Sequence, residues 1–282
     1  MTPLLFTLCA FLIAVVAGLL GSLVGIGGGI IMVPALTLIF GIDMRYAIGA
    51  SIVSVIATSS GAAAAYVRER MTNLRVAMFL EMATTTGALT GAYVAGRVSK
   101  RWLFIIFGAM LGYSAIAMVR KRHEVDHTNR PHDGIADRLR LHDSFFDEAT
   151  GLTTHYRVAR TPIGFALMWL AGVTSGLLGI GSGALKVPAM DLAMGLPIKV
   201  STATSNFMIG VTAAASAGVY FARGDIDPFI AAPVAVGVLL GATTGSRLLG
   251  KMHSRSIRLM FVAILLWISC QMLWKGLRWP SM

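Results

Sequence analysis

The sequence predicts an all-α integral membrane protein built from two homologous helical repeats, with about eight full spans and two glycine-broken half-helices. Three observations carry this. Long apolar runs dominate the chain, the chain matches itself at a fixed shift, and a glycine cluster interrupts each half at the same place. The corresponding divisions are a first repeat over 1–119, a polar loop over 120–161 and a second repeat over 162–282.

The apolar character is plain from composition. Of 282 residues, 56% are hydrophobic and 13% charged, and the mean hydropathy is +0.73; soluble domains run at about 25% charged. The segment from Arg120 to Arg160 alone holds 15 of the 37 charges, eight basic and seven acidic. A spanning helix needs roughly 20 apolar residues, and runs of that kind cover 4–24, 46–67, 75–95, 102–119, 162–178, 200–222, 228–249 and 256–274. The first is read as a helix and not as a cleaved signal, because no basic segment precedes it and further spans follow. Two shorter apolar stretches, 30–41 and 184–196, follow the glycine clusters and are too short to cross alone.

The self-match is gapless. Shifting the chain by 154 residues lays Gly18–Arg97 on Gly172–Lys251, with 21 of 80 positions identical. The identities fall on residues with particular backbone needs. Gly25, Gly27 and Gly29 meet Gly179, Gly181 and Gly183; Pro34 meets Pro188; Ser51 meets Ser205; Thr58 meets Thr212; Tyr66 meets Tyr220. Chance likeness between apolar segments would match leucines and valines instead. The halves invert if 30–41 returns across the bilayer and run parallel if it does not. Inversion is the expectation, since inverted repeats with broken helices are a common carrier plan.

The charge of +11 does not point to nucleic acid. Outside the loop, basic residues sit at the ends of apolar runs, as interfacial anchors do, and no basic patch is interleaved with stacking aromatics. Cys9 and Cys270 lie in separate apolar runs, which excludes a cysteine-only iron–sulfur centre and gives no disulfide framework. His123, His127, His132, His142 and His155 are confined to the polar loop in no ligand spacing, so no metal is expected. Within the loop, 143–158 alternates aromatic and polar residues around Thr150-Gly151, which predicts a small β-hairpin.

The glycine clusters carry the functional expectation. They read Gly25-Ile-Gly27-Gly28-Gly29 and Gly179-Ile-Gly181-Ser182-Gly183, with the structural prolines Pro34 and Pro188 following at equal spacing. Unwound backbone inside hydrocarbon is tolerated only where it lines water or is buried in protein. The half-helix beyond each break then offers free N–H groups and the positive end of its dipole to an anion. Close packing through small residues accounts for Gly21/Gly25 and Gly172/Gly176, but not for three consecutive glycines with a proline beyond. Lys186 is placed to hold an anion's charge. Ser51, Ser205 and Asn206 offer side-chain contacts, although a hydroxyl opening a helix is often only a cap. Glu81 and Asp191 are the candidate coupling groups, because ionisable residues at membrane depth are expensive and usually functional. Their counterparts by the shift are Ala235 and Thr37, and that of Lys186 is Met32, so the symmetry breaks at all three. Snorkelling to the interface is the competing account of these charges.

The doubled Gly-Ile-Gly-x-Gly…Val-Pro-Ala pattern, with Ala203-Thr-Ser-Asn206 after the second copy, resembles the TauE/SafE family of sulfite exporters and sulfonate permeases. The likeness covers nearly the whole chain apart from 120–161. It implies a multi-pass protein of the cytoplasmic membrane that moves sulfite, a sulfonate or another small anion, with no cofactor. Ser182 for Gly28 and Lys186 for Met32 are departures between the copies. The expected partners are a small anionic solute and the lipid bilayer; homodimerisation is left open. A passive anion channel and a carrier of amino acids or metal ions are the alternative functions. An embedded enzyme is disfavoured, since no span offers Ser182 a histidine base.

Overall fold

The structure is a computed structural model that describes residues 3–120 and 132–278; His123 and His127 fall outside these. Each apolar run forms a helix. In chain order these are α1 (Pro3–Val24), the short α2 (Gly29–Pro34), α3 (Met44–Arg68), α4 (Leu74–Ala95) and α5 (Lys100–Arg120). Beyond the loop come α7 (Thr161–Leu178), the short α8 (Gly183–Pro188), α9 (Ile198–Ala222), α10 (Pro228–Leu249) and α11 (Ser254–Arg278). The polar loop contributes a one-turn helix α6 (Gly134–Arg138) and the expected hairpin, β1 (Asp143–Asp147) paired antiparallel with β2 (Leu152–Tyr156).

Among the described residues, six helices, α1, α3, α5, α7, α10 and α11, are long and apolar enough to cross a membrane. α4 and α9 match them in length but carry buried polar side chains such as Glu81, Thr84, Ser205 and Asn206. Element boundaries follow local chemistry. Asp43, Asn73 and Asp227 cap α3, α4 and α10 by accepting from Arg45, Val76 and Phe229 amides at 2.9–3.0 Å, satisfying N–H groups that no helical carbonyl reaches. α2 and α8 each run through a proline and widen into π-helical turns, 35–39 and 189–194. A proline has no N–H to give, so the ordinary i→i−4 ladder fails there.

The helices pair across the halves. α1 lies along α10 in the same direction, and α4 lies along α7 likewise. Small residues permit this. A Cβ on Gly241 would collide with the Val15 carbonyl, and one on Gly87 with the Trp169 carbonyl; these two contacts are related by the 154-residue shift. α3 and α9 cross antiparallel at the centre, with Gly49 against Asp225 at one end and the Ser59 hydroxyl donating to the Phe207 carbonyl. α5 and α11 pair at the side, where Ser269 Oγ donates to the Gly108 carbonyl at 2.7 Å.

Both short helices double back. The Phe40 ring, just beyond the first, packs edge-on against Phe6 near the start of α1, with centroids 5.1 Å apart. Met194, ending the second, accepts from the Ala159 amide just before α7 at 3.0 Å. The bundle therefore has an Arg45 face, where α1, α3, α5 and α10 begin, and a hairpin face, where α4, α7, α9 and α11 begin.

Candidate functional site

The two glycine breaks meet at the bundle centre, each seated by the other half. Ser51 Oγ of α3 donates to the Gly179 carbonyl at 2.7 Å. Ser205 Oγ of α9 donates to the Gly25 carbonyl at 2.7 Å. Tyr66 OH donates to the Ser22 carbonyl at 3.0 Å and Tyr220 OH to the Gly176 carbonyl at 2.6 Å. All eight of these positions pair off at the same shift of 154. Asn206 adds a bond without a counterpart, from Nδ2 to the Ser22 carbonyl at 2.7 Å. A Cβ on Gly183 would strike the backbone of Gly25 and Ile26, so the breaks also touch each other. Of the two conditions that make unwound backbone tolerable in hydrocarbon, burial in protein is the one met here.

The breaks differ in how their amides are used. In the first, Gly25, Ile26 and Gly27 all donate to the Gly21 carbonyl, and Gly28 donates to Thr58 Oγ1 at 3.1 Å. In the second, Gly179 donates to the Ser175 carbonyl, whereas Ile180, Gly181 and Ser182 donate to nothing among the described residues. These three are buried. Buried amides without partners are rare. The backbone also departs from what sequence suggests: Gly28 lies at φ −62° while Ser182, its side-chain-bearing counterpart, takes the left-handed φ of +56°. That conformation is uncommon without glycine and turns the amides of the second break differently from those of the first. Gly29 and Gly183 open the returning helices.

Beside the second break stands a charged cluster. Lys186 of α8 is wholly buried and Glu81 of α4 is 8% exposed, so neither snorkels to an interface. Lys186 Nζ donates to Thr212 Oγ1 at 2.5 Å, and the Thr212 hydroxyl lies 2.6 Å from Glu81 Oε1, placed to donate to it. Lys186 Nζ also lies 3.6 Å from Glu81 Oε2, and Thr85 Oγ1 donates to Oε1 at 3.1 Å. The equivalent place beside the first break holds Met32, Thr58 and Ala235 and carries no charged side chain. Asp191 lies elsewhere: its carboxylate is paired with Arg258 of α11 at 2.9 Å. Pro34 and Pro188 close the short helices and touch none of these groups by hydrogen bond through their own nitrogens.

A cavity of about 250 Å³ opens at the Arg45 face, lined by Arg45, Ile48, Gly96, Leu103, Tyr220 and Arg223 among others. Its floor is the cover of the second break. Ile48 packs on Gly179, and Tyr220 is the residue bonded to Gly176. Arg223 at its side bonds the Ala92 carbonyl at 2.9 Å, pairs with Asp225 at 3.0 Å and stacks over Tyr220 at 4.4 Å.

The expected residues thus come together, apart from Asp191. Sequence reading missed Thr212, the bridge between Lys186 and Glu81, and the two tyrosines, although all three stood among the identities of the self-match. Arg258 sits at the end of an apolar run as interfacial anchors do, and nothing in its local sequence marks Asp191 as its partner.

Comparison with known proteins gives the family. The family described as sulfite exporter TauE/SafE matches residues 10–272. The chain is 27% identical over 272 residues to the "Probable membrane transporter protein YunE" of Bacillus subtilis, covering 94% of this chain and 96% of the relative. It is 25% identical over 269 residues to the "Probable membrane transporter protein MJ0441" of Methanocaldococcus jannaschii, covering 90% of each, and 27% identical over 273 residues to a "Probable membrane transporter protein" of Xylella fastidiosa, covering 94% of each. No solved structure matches. The chain belongs to the sulfite exporter TauE/SafE family and is a multi-pass membrane protein.

Proposed function

We propose that the protein is a secondary carrier for a small anion, with sulfite, sulfonates and related sulfur-containing anions as the substrate class. The family's description supports the class. The observation that carries the carrier reading is the reciprocal seating of the two breaks, Ser51 on Gly179 and Ser205 on Gly25. A midplane site between discontinuous helices of two halves is a transporter arrangement. In this reading the halves are inverted repeats of about four full spans and one re-entrant half-helix each. The opposite courses of α3 and α9, and of α1 and α7, support it.

The anion is received by the unpartnered amides of Ile180, Gly181 and Ser182, with Lys186 supplying charge. The first break closes the site from the other half, with Ser51, Ser205 and Asn206 setting the distance between them. The present conformation is occluded, with Lys186 matched by Glu81. A proton taken up by Glu81 leaves Lys186 unmatched, and a buried unmatched charge costs several kcal/mol. An entering anion relieves that cost, so proton and anion move together. Asp191, held by Arg258, serves as a lock between α11 and the second half-helix. The hairpin face is cytoplasmic: Arg68, Arg70, Arg75, Lys251 and Arg255 gather there with Arg138, Arg140, Arg157 and Arg160 of the loop, against a smaller set at the Arg45 face, and basic residues favour the cytoplasmic side.

The test is uptake of radiolabelled sulfite, sulfate and methanesulfonate into proteoliposomes under an imposed pH gradient. Saturable, gradient-driven uptake with counterflow, reduced at least ten-fold by Lys186→Met, is the expected result. Uptake that ignores the gradient removes the coupling role of Glu81, and conductance without counterflow replaces the carrier with a channel.

A further inference from the structure

The cavity at the Arg45 face has a counterpart by the 154-residue shift, and the counterpart is filled. Arg45, Ile48, Gly96 and Tyr220 map onto Lys199, Thr202, Gly250 and Tyr66. The inner relationships are preserved: Ile48 covers Gly179 and Thr202 covers Gly25, while each tyrosine bonds a carbonyl just before its break. The outer ones differ. Arg45 is exposed at the mouth of an open cavity, whereas Lys199 is 1% exposed.

What covers Lys199 is the tip of the hairpin. Asp147, the last residue of β1, sets Oδ1 2.6 Å from Lys199 Nζ. The same ammonium donates to the Gly250 carbonyl at 3.0 Å. A Cβ on Gly250 would lie 3.2 Å from the carboxylate of Glu148, the first turn residue. The hairpin is held in this pose at its base, where Asn73 Nδ2 donates to Tyr156 OH and to the Leu141 carbonyl, both at 2.9 Å. One turn along α9 from Lys199, Thr202 is wholly buried with a hydroxyl that has no partner among the described residues.

We infer that Lys199 and Thr202, with the Gly250 carbonyl orienting the ammonium, form a second anion-binding vestibule on the hairpin face, which the chain's own Asp147 carboxylate occupies in place of a carboxylate or sulfonate solute. The hairpin tip is then a tethered competitor: solute reaches the first break from this face only when the tip withdraws. An ammonium with one carboxylate, one carbonyl and a spare hydroxyl beside it is built for an oxyanion. The tether supplies that oxyanion at high effective concentration. The inference rests on the carrier reading for its consequence in transport, but the occupancy of the vestibule is measured without any flux.

The experiment uses the full chain with Cys9 and Cys270 replaced by alanine. Ile257→Cys reports the hairpin-face vestibule and Leu103→Cys, its counterpart, reports the open cavity; each is labelled with a membrane-impermeant maleimide in permeabilised vesicles. Leu103→Cys is expected to label in every background. Ile257→Cys is expected to label at least ten-fold faster once Asp147→Asn is added, or once residues 144–155 are replaced by a glycine-serine linker, and methanesulfonate is expected to slow that labelling where sodium chloride does not. Equal labelling of Ile257→Cys with and without Asp147→Asn and the linker overturns the plug. Labelling released by Asp147→Asn but untouched by methanesulfonate overturns the anion site. Loss of transport in proteoliposomes with these labelling results intact would instead count against the carrier reading alone.

Discussion

Lys186 and Glu81, from helices of different halves, are joined through the Thr212 hydroxyl at 2.5 and 2.6 Å, with their charged atoms 3.6 Å apart. The symmetry-related place holds Met32 and Ala235, so the chain carries both a charged and an apolar solution to the same packing problem. Removing one partner of a buried pair costs about 3–5 kcal/mol, whereas replacing both with apolar groups is often neutral. Lys186→Met alone is therefore expected to lower the thermal midpoint in detergent by several degrees. Lys186→Met with Glu81→Ala, which copies the first half, is expected to recover most of it, and neither protein transports. A double variant as unstable as the single one would show that the pair is not an isolated charge balance.

Ser51→Ala and Ser205→Ala each take a donor from the carbonyl of a glycine break. A buried acceptor left alone costs about 1–3 kcal/mol. Because the two bonds have the same length and occupy equivalent places in the repeat, the two losses are expected to agree within about 1 kcal/mol. Chemical denaturation in mixed micelles measures both. A silent Ser51→Ala beside a damaging Ser205→Ala would break the equivalence of the two seats.

Gly87 and Gly241 are where α4 meets α7 and α1 meets α10 backbone to backbone. Leucine at either is expected to prevent recovery of monodisperse protein, since the obstacle is a carbonyl and not a movable side chain. Gly218 of α9 has nothing within 4 Å of the place a Cβ would take. Alanine there is expected to raise stability by about 0.5–1 kcal/mol, the usual penalty of glycine inside a helix. Size-exclusion profiles and melting midpoints separate the two cases.

Glu69, which caps the end of α3 at the hairpin face, is exposed by area. Its carboxyl is nevertheless raised above its ordinary value of 4.5, first by desolvation and then by the Glu148 carboxylate at the hairpin tip. A raised carboxyl holds its proton more tightly with the tip docked. Its help to docking is complete below pH 4.5 and is lost as pH climbs through the raised value. Labelling of Ile257→Cys is expected to rise over that interval and to lose this dependence in Glu69→Gln. A profile unchanged by Glu69→Gln would assign the dependence to another group.

Much of this architecture was legible in the sequence because the repeat is gapless. Identities such as Ser51/Ser205 and Tyr66/Tyr220 are the same residues that seat the breaks. The hairpin was legible from its alternation around Thr150-Gly151. The pairing of Asp191 with Arg258, and of Asp147 with Lys199, was not, because each joins residues 52–67 positions apart with no local pattern to mark them. The left-handed backbone at Ser182 was also invisible, since a glycine at the matching position adopts the ordinary helical region.

In the carrier reading, the second break holds an anion on its bare amides. Selenite, a heavy analogue of sulfite, makes this directly visible by anomalous X-ray scattering from crystals of the protein soaked with it. The expected result is a selenium peak between the two breaks, within hydrogen-bond reach of the Ile180, Gly181 and Ser182 amides and near Lys186, that disappears in Lys186→Met. A saturating peak elsewhere in a protein that transports selenite, with those amides still covered, would contradict the account.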